Sequence, residues 1–180
     1  MRLYLVRHLP PIVAPGVCYG STDLPTDPAA QALALPGLQS ALPAAAPIYS
    51  SPLRRCVVLA EALGQPVHID ARLVELDFGT WEMQHWDDIA RADIDAWARD
   101  VAGFRPGGGD SVASMAARIA GFYADIVKTN ASAAVVVCHA GAIRLLTARA
   151  SGLDADAMAQ AAATHPHAIG YGEIVILDCV

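Results

Sequence analysis

The sequence predicts an α/β fold, a three-layer sandwich with a central, largely parallel sheet and helices on both faces. Three observations predict it. Strand-like and helix-like segments alternate along the chain. The runs Leu3-Tyr4-Leu5-Val6 and Val135-Val136-Val137 are almost wholly apolar, as strands covered on both faces must be. Val112, Met115, Ile119, Phe122 and Ile126 recur at spacings of three and four, which puts one apolar stripe on a helix. A length of 180 residues fits one domain, read here as residues 1–180 with a small lid region over about residues 76–110.

Residues 2–7 form the first strand. Pro10, Pro11, Pro15, Gly16 and Gly20 make the following stretch a loop, because proline fixes φ and removes a donor while glycine permits sharp turns. From Pro28 to Pro47 alanine and proline dominate, and the sequence yields no assignment. Ile48 and Tyr49 run as a short strand into Ser50-Ser51-Pro52. Pro52 suits a first helical turn with serine ahead of it as cap; Val57, Leu59, Ala60 and Leu63 give the helix its apolar side, and Gly64 ends it.

Residues 67–69 are a further short strand, and about 86–99 a polar, aromatic helical stretch. The break Pro106-Gly107-Gly108-Gly109 separates it from the striped helix, which Asp110 or Ser111 can cap. Residues 133–138 are a strand, residues 143–150 a helix after the Cys138-His139-Ala140-Gly141 turn, and residues 173–178 a closing strand.

A formal charge of −6 argues against a nucleic-acid surface, which needs clustered cations. The hydrophobic share is 54%, but the excess over an ordinary share is mostly alanine, and no run approaches the roughly 20 apolar residues of a membrane span. The apolar start is too short for a signal peptide and is interrupted by charge. A cytoplasmic protein with neither nucleic-acid nor membrane partners is therefore expected. Cys18, Cys56, Cys138 and Cys179 form no CxxC pair and read as packed thiols. His165-Pro166-His167 lacks further ligands nearby, so no metal is expected.

In sheets of this kind ligands bind beyond the carboxyl ends of the strands. Arg7-His8 stands at one such end and His139 at another. A neutral imidazole at His8 is a nucleophile if a backbone acceptor fixes its other nitrogen. Arg7 offers forked, permanent donors to a phosphate. Arg54 and Arg55 fall in the first turns of a helix, where backbone N–H groups also favour anions. Singly, each has a bland alternative: a structural histidine, a solvated basic turn, a satisfied histidine at a helix start. Together they supply what phosphoryl transfer requires.

Leu5-Val6-Arg7-His8, Ser51-Pro52-Leu53-Arg54-Arg55, Leu73-Val74-Glu75 with Phe78-Gly79-Thr80-Trp81-Glu82, and Val137-Cys138-His139-Ala140-Gly141 resemble the ordered motifs of the histidine phosphatase superfamily. The family is also called phosphoglycerate-mutase-like, and the resemblance spans nearly the whole chain. It implies a metal-independent phosphatase needing no cofactor, acting on a small-molecule phosphate ester. His8 would be the phosphorylated nucleophile, Arg7, Arg55 and His139 would complete the phosphate pocket, and Glu75 would be the general acid, with Asp77 and Glu82 as alternatives.

After Arg-His the family usually has glycine, where this chain has Leu9-Pro10-Pro11. That departure and the segment Gly16-Val17-Cys18-Tyr19-Gly20-Ser21-Thr22-Asp23-Leu24-Pro25 are similar to the α-ribazole phosphatase branch, which implies α-ribazole 5′-phosphate of cobalamin assembly as substrate. A broad sugar-phosphate or nucleotide phosphatase is the alternative. A catalytically weak phosphate-binding or regulatory protein is the alternative of another class. Tyr19, Trp81, Trp86 and Trp97 are candidates to stack on a base or sugar. The sequence leaves the oligomeric state open.

Overall fold

The computed structural model describes residues 1–164 and 168–179. A five-stranded sheet is built from β1 (Arg2–Arg7), β2 (Ile48–Ser50), β3 (Val67–Ile69), β4 (Ala133–Cys138) and β5 (Ile174–Asp178), in the order β3-β2-β4-β1-β5. β1 pairs with β4, and β2 with β3 and β4, in parallel; β5 alone runs antiparallel, along β1. Six α-helices accompany these strands among the described residues: α1 (Pro28–Ala41), α2 (Arg54–Ala62), α3 (Arg91–Arg99), α4 (Val112–Ile126), α5 (Ala140–Ala150) and α6 (Ala155–Thr164).

Strand side chains alternate between faces, so β1 and β4 supply two cores. Leu3, Leu5, Ala134, Val136 and Cys138 pack with the stripe of α4 and with Ile143, Leu146 and Met158 of α5 and α6. Val6, Val135 and Val137 pack on the other face with Leu38 of α1 and Cys56, Leu59 and Ala60 of α2. This is the expected sandwich. A small separate core gathers Cys18, Trp81 and Ile89 with Phe78, Trp86, Trp97 and Phe104.

Five details differ from the sequence expectations. The unassigned Ala-Pro segment is a helix: Asp27 caps it by accepting from Ala29 N–H at 2.8 Å, and Pro28 sits in its first turn. α2 begins at Arg54, later than Ser51-Pro52 suggests, after Leu53, whose side chain makes no capping bond. The 86–99 stretch divides into one 3₁₀ turn, Trp86–Asp88, and α3. α5 starts at Ala140, and α6, on which the sequence reading was silent, follows with Asp154 capping Ala157 N–H at 2.9 Å. Ser111 caps α4 as expected, at 3.1 Å from Ser114 N. His165-Pro166-His167 lies outside the described residues. Among the described residues no helix is long and apolar enough to cross a membrane.

Candidate active site

β1 and β4 are adjacent and parallel, so their carboxyl ends bring His8 and His139 side by side, with ring centroids 5.1 Å apart. His8 N–H donates to Cys138 O at 3.0 Å, carrying the ladder one residue past the strand. The His8 side chain is 2% exposed, and its Nδ1 lies 2.7 Å from the Leu9 carbonyl. A carbonyl only accepts, so Nδ1 carries the proton and Nε2 keeps its lone pair. Burial pushes the His8 pKa down to about 3; the Leu9 carbonyl opposes this, and the Arg55 and Arg7 charges add to it. His8 is thus a neutral base with the reactive nitrogen unblocked by its own anchor.

His139 is 1% exposed and hydrogen-bonded through Nε2 to Ser51 Oγ at 2.8 Å, with the Cys56 thiol 3.5 Å from the same nitrogen. Burial, then the His8 and Arg55 charges, holds its pKa well below the ordinary range. The free protein therefore holds His139 neutral. Its ring meets the His8 ring edge-on and does not line the cavity that His8 lines.

Arg55, in the first turn of α2, is 1% exposed and donates from Nη2 to Gly20 O at 2.5 Å and from Nη1 to Thr22 O at 2.7 Å. These two bonds leave three of its five donors for a ligand. Its neighbour Arg54 is exposed, and its backbone N–H donates to Asp23 Oδ1 at 2.6 Å. Arg7 donates from Nη1 to Ile169 O at 2.5 Å. The Nε atoms of both Arg7 and Arg55 are buried without a hydrogen-bond partner among the described residues. Leaving charged donors unmatched is costly, and an anion's oxygens would meet that need.

Glu75 follows the single turn Ala71–Leu73 and accepts from Gly141 N–H at 3.0 Å on Oε2 and from Leu76 N–H at 3.0 Å on Oε1. Gly141 allows this approach: a Cβ there would lie 2.3 Å from Glu75 Oε1. Arg118 of α4 holds the segment from behind, donating to the carbonyls of Arg72, Val74 and Glu75. The alternative acids are committed elsewhere. Asp77 Oδ1 accepts from Gly79 N–H at 2.8 Å. Glu82 accepts the N–H groups of Gly20, Ser21, Thr22 and Phe78 at 2.8 to 3.1 Å. Burial would raise the Glu82 pKa, but these bonds and the Thr22 hydroxyl outweigh it and lower it.

Arg7, His8, Arg55 and Glu75 line one cavity of about 390 Å³, whereas Asp77 and Glu82 do not. Its remaining wall is largely apolar and includes Tyr19, Phe78, Trp86, Trp97, Met115 and Leu145. Trp86 and Trp97 stack with ring planes 8° apart. Trp81, the fourth aromatic candidate, is instead in the small core at 4% exposure. Leu9 turns away from the cavity into the core with Val6, Leu38 and Ile48, so its bulk does not fill the site. Pro11 bridges to Thr26 on the far side of the loop. The sequence reading missed Arg118, Tyr171 and the α5 residue Arg144, which lines the cavity and donates to Ala162 O; none lies in a local motif.

A model of the histidine phosphatase superfamily (branch 1) matches residues 3–173. The adenosylcobalamin/alpha-ribazole phosphatase of Escherichia coli (strain K12) is 34% identical over 97 residues, 52% of this chain and 48% of that protein. A glucosyl-3-phosphoglycerate phosphatase of Mycolicibacterium vanbaalenii is 40% identical over 124 residues, 61% of this chain and 55% of that one. The matched region thus spans about half the length of these curated relatives.

Solved structures align over nearly the whole chain. The alpha-ribazole phosphatase from Shigella flexneri gives a TM-score of 0.83 at 26% identity, covering 99% of this chain and 90% of that one. A mycobacterial glucosyl-3-phosphoglycerate phosphatase complexed with VO3 gives 0.78 at 26% identity, covering 98% and 92%.

Proposed function

Because the chain belongs to the histidine phosphatase superfamily, we propose that it is a phosphomonoester hydrolase working through a phosphohistidine at His8. The observation that carries this reading is the buried, neutral His8, its Nδ1 anchored on the Leu9 carbonyl, on a cavity wall shared with Arg7, Arg55 and Glu75. Nε2 attacks phosphorus in line with the ester oxygen. As the N–P bond forms and the P–O bond breaks, Arg7 and Arg55 hold the equatorial oxygens, and Glu75 gives its proton to the departing alkoxide. The Glu75 carboxylate then takes a proton from a water that attacks the phosphohistidine, releasing phosphate and restoring His8 and the acid.

Within that class the substrate we favour is α-ribazole 5′-phosphate. The cavity beyond the cationic end is bounded by Phe78, Trp86 and Trp97, a wall suited to a planar aromatic base. The name of the Escherichia coli relative points the same way. A sugar phosphate is the second reading, favoured by the 40% identity to the glucosyl-3-phosphoglycerate phosphatase. The test compares kcat/KM for α-ribazole 5′-phosphate with that for glucosyl-3-phosphoglycerate and common sugar phosphates. A preference of about tenfold or more, 1.4 kcal/mol in transition-state binding, supports the assignment. A smaller one rejects α-ribazole phosphate and leaves the phosphatase reading standing.

A further inference from the structure

Arg7 is tied to one tight turn at the start of β5. Its N–H donates to Glu173 O at 3.0 Å, and its carbonyl accepts from Gly172 N–H at 3.0 Å. Its side chain reaches the same turn, donating Nη1–H to Ile169 O and laying the guanidinium carbon 3.8 Å from the centre of the Tyr171 ring. The turn is made for this presentation. Gly172 takes φ +72°, which favours glycine, and Glu173 closes the turn by accepting from Gly170 N–H at 2.5 Å.

Tyr171 has no place in the core. It is 42% exposed, yet its ring centroid is 5.6 Å from that of His8. Its hydroxyl is 2.6 Å from the hydroxyl of Tyr19, a cavity-lining residue whose ring lies 5.6 Å from the Arg55 guanidinium carbon. The two tyrosines therefore bridge the loop after β1 and the turn before β5, next to the two arginines.

We propose that Tyr171 is a positioning residue for Arg7: its ring face carries the guanidinium in the orientation that receives a phosphoryl group, and the Tyr19 hydroxyl fixes that ring. The proposal rests on the phosphate-binding role given to Arg7 above. An arginine side chain has several free torsions, and holding it in place before the ligand arrives removes an ordering cost from binding. The Ile169 carbonyl restrains one edge of the fork, and the ring restrains its plane. Hydroxyl loss alone should therefore matter less than ring loss.

The experiment measures orthophosphate binding by calorimetry, with melting temperature and the kcat and KM for a small aryl phosphate, in the full chain and in Arg7→Ala, Tyr171→Ala, Tyr171→Phe and Tyr19→Phe. Tyr171→Ala is expected to weaken phosphate binding and raise KM by about tenfold, with Tyr171→Phe and Tyr19→Phe within about threefold of the parent. An unchanged melting temperature is expected throughout, since the ring is partly exposed. Parent-like phosphate binding in Tyr171→Ala beside a weakened Arg7→Ala overturns the proposal. So does Tyr171→Phe as weak as Tyr171→Ala, which would assign the effect to the hydroxyl. Parent-like binding in Arg7→Ala would instead overturn the phosphate role of Arg7 itself.

Discussion

Replacing His8 by glutamine should flatten the acid limb of the stability curve. Burial lowers the folded-state pKa of His8 from 6.5 to about 3, so between these values the unfolded chain binds a proton that the folded protein does not. More protons on the unfolded state mean that stability rises with pH; this contribution is whole above pH 6.5 and is lost as pH falls towards 3. At 1.36 kcal/mol per pH unit, lowering the pH from about 8 to about 4.5 costs the folded protein about 3 kcal/mol through this one group.

Urea unfolding at the two pH values, followed by tryptophan fluorescence, measures the loss. Phosphate and sulfate must be left out of the buffers, since an anion that binds only the folded state would mask it. His139 loses stability in the same direction, and because His8 helps to lower its pKa the difference between parent and His8→Gln reports His8 together with its coupling to His139. Equal acid losses in the two would refute a neutral, buried His8 and with it the proposed nucleophile.

Gly141→Ala places a methyl group 2.3 Å from Glu75 Oε1 and must displace the carboxyl; kcat should fall about a hundredfold with phosphate affinity kept, in steady-state and inhibition measurements. Glu75→Gln should slow alkyl phosphates by about a hundredfold or more and nitrophenyl phosphate far less, because a good leaving group needs no proton; equal losses would count against the acid role. Leu9→Ala should cost about 3 kcal/mol in urea unfolding, as a buried side chain truncated in the core, and leave KM near the parent value. A large change in KM would place Leu9 at the site after all.

What the sequence exposed were features that local pattern controls. The apolar runs of β1 and β4 and the stripe of α4 fixed the layers, since strands buried on both faces and a helix with one apolar side leave few other arrangements. Arg7, His8 and His139 were legible because they end those strands, and Arg55 and Glu75 because they sit in recognisable motifs. Helix α1 was hidden by Pro36, a residue that argues against a helix interior but is tolerated within this surface helix. Ser51, which the local pattern makes a helix cap, serves His139 instead, because the helix starts two residues after Pro52.

Tyr171 and Arg118 were invisible for another reason. Each meets the site only through long-range packing, Tyr171 across the antiparallel β1–β5 pair and Arg118 across the turn that carries Glu75. The effect of Leu9 likewise depends on which way one side chain turns, and only the packing against Val6 and Leu38 shows that it turns inward.

The most direct test of the proposed chemistry is to trap the covalent intermediate. The protein is mixed with a fast aryl phosphate, quenched within its first turnovers in strong base, digested, and read by mass spectrometry, with a parallel acid quench. One phosphoryl group on the peptide containing His8, kept in base, lost in acid and missing from His8→Ala, is the expected result. Full turnover by His8→Ala, or a base-labile phosphoryl group on another residue, would contradict it.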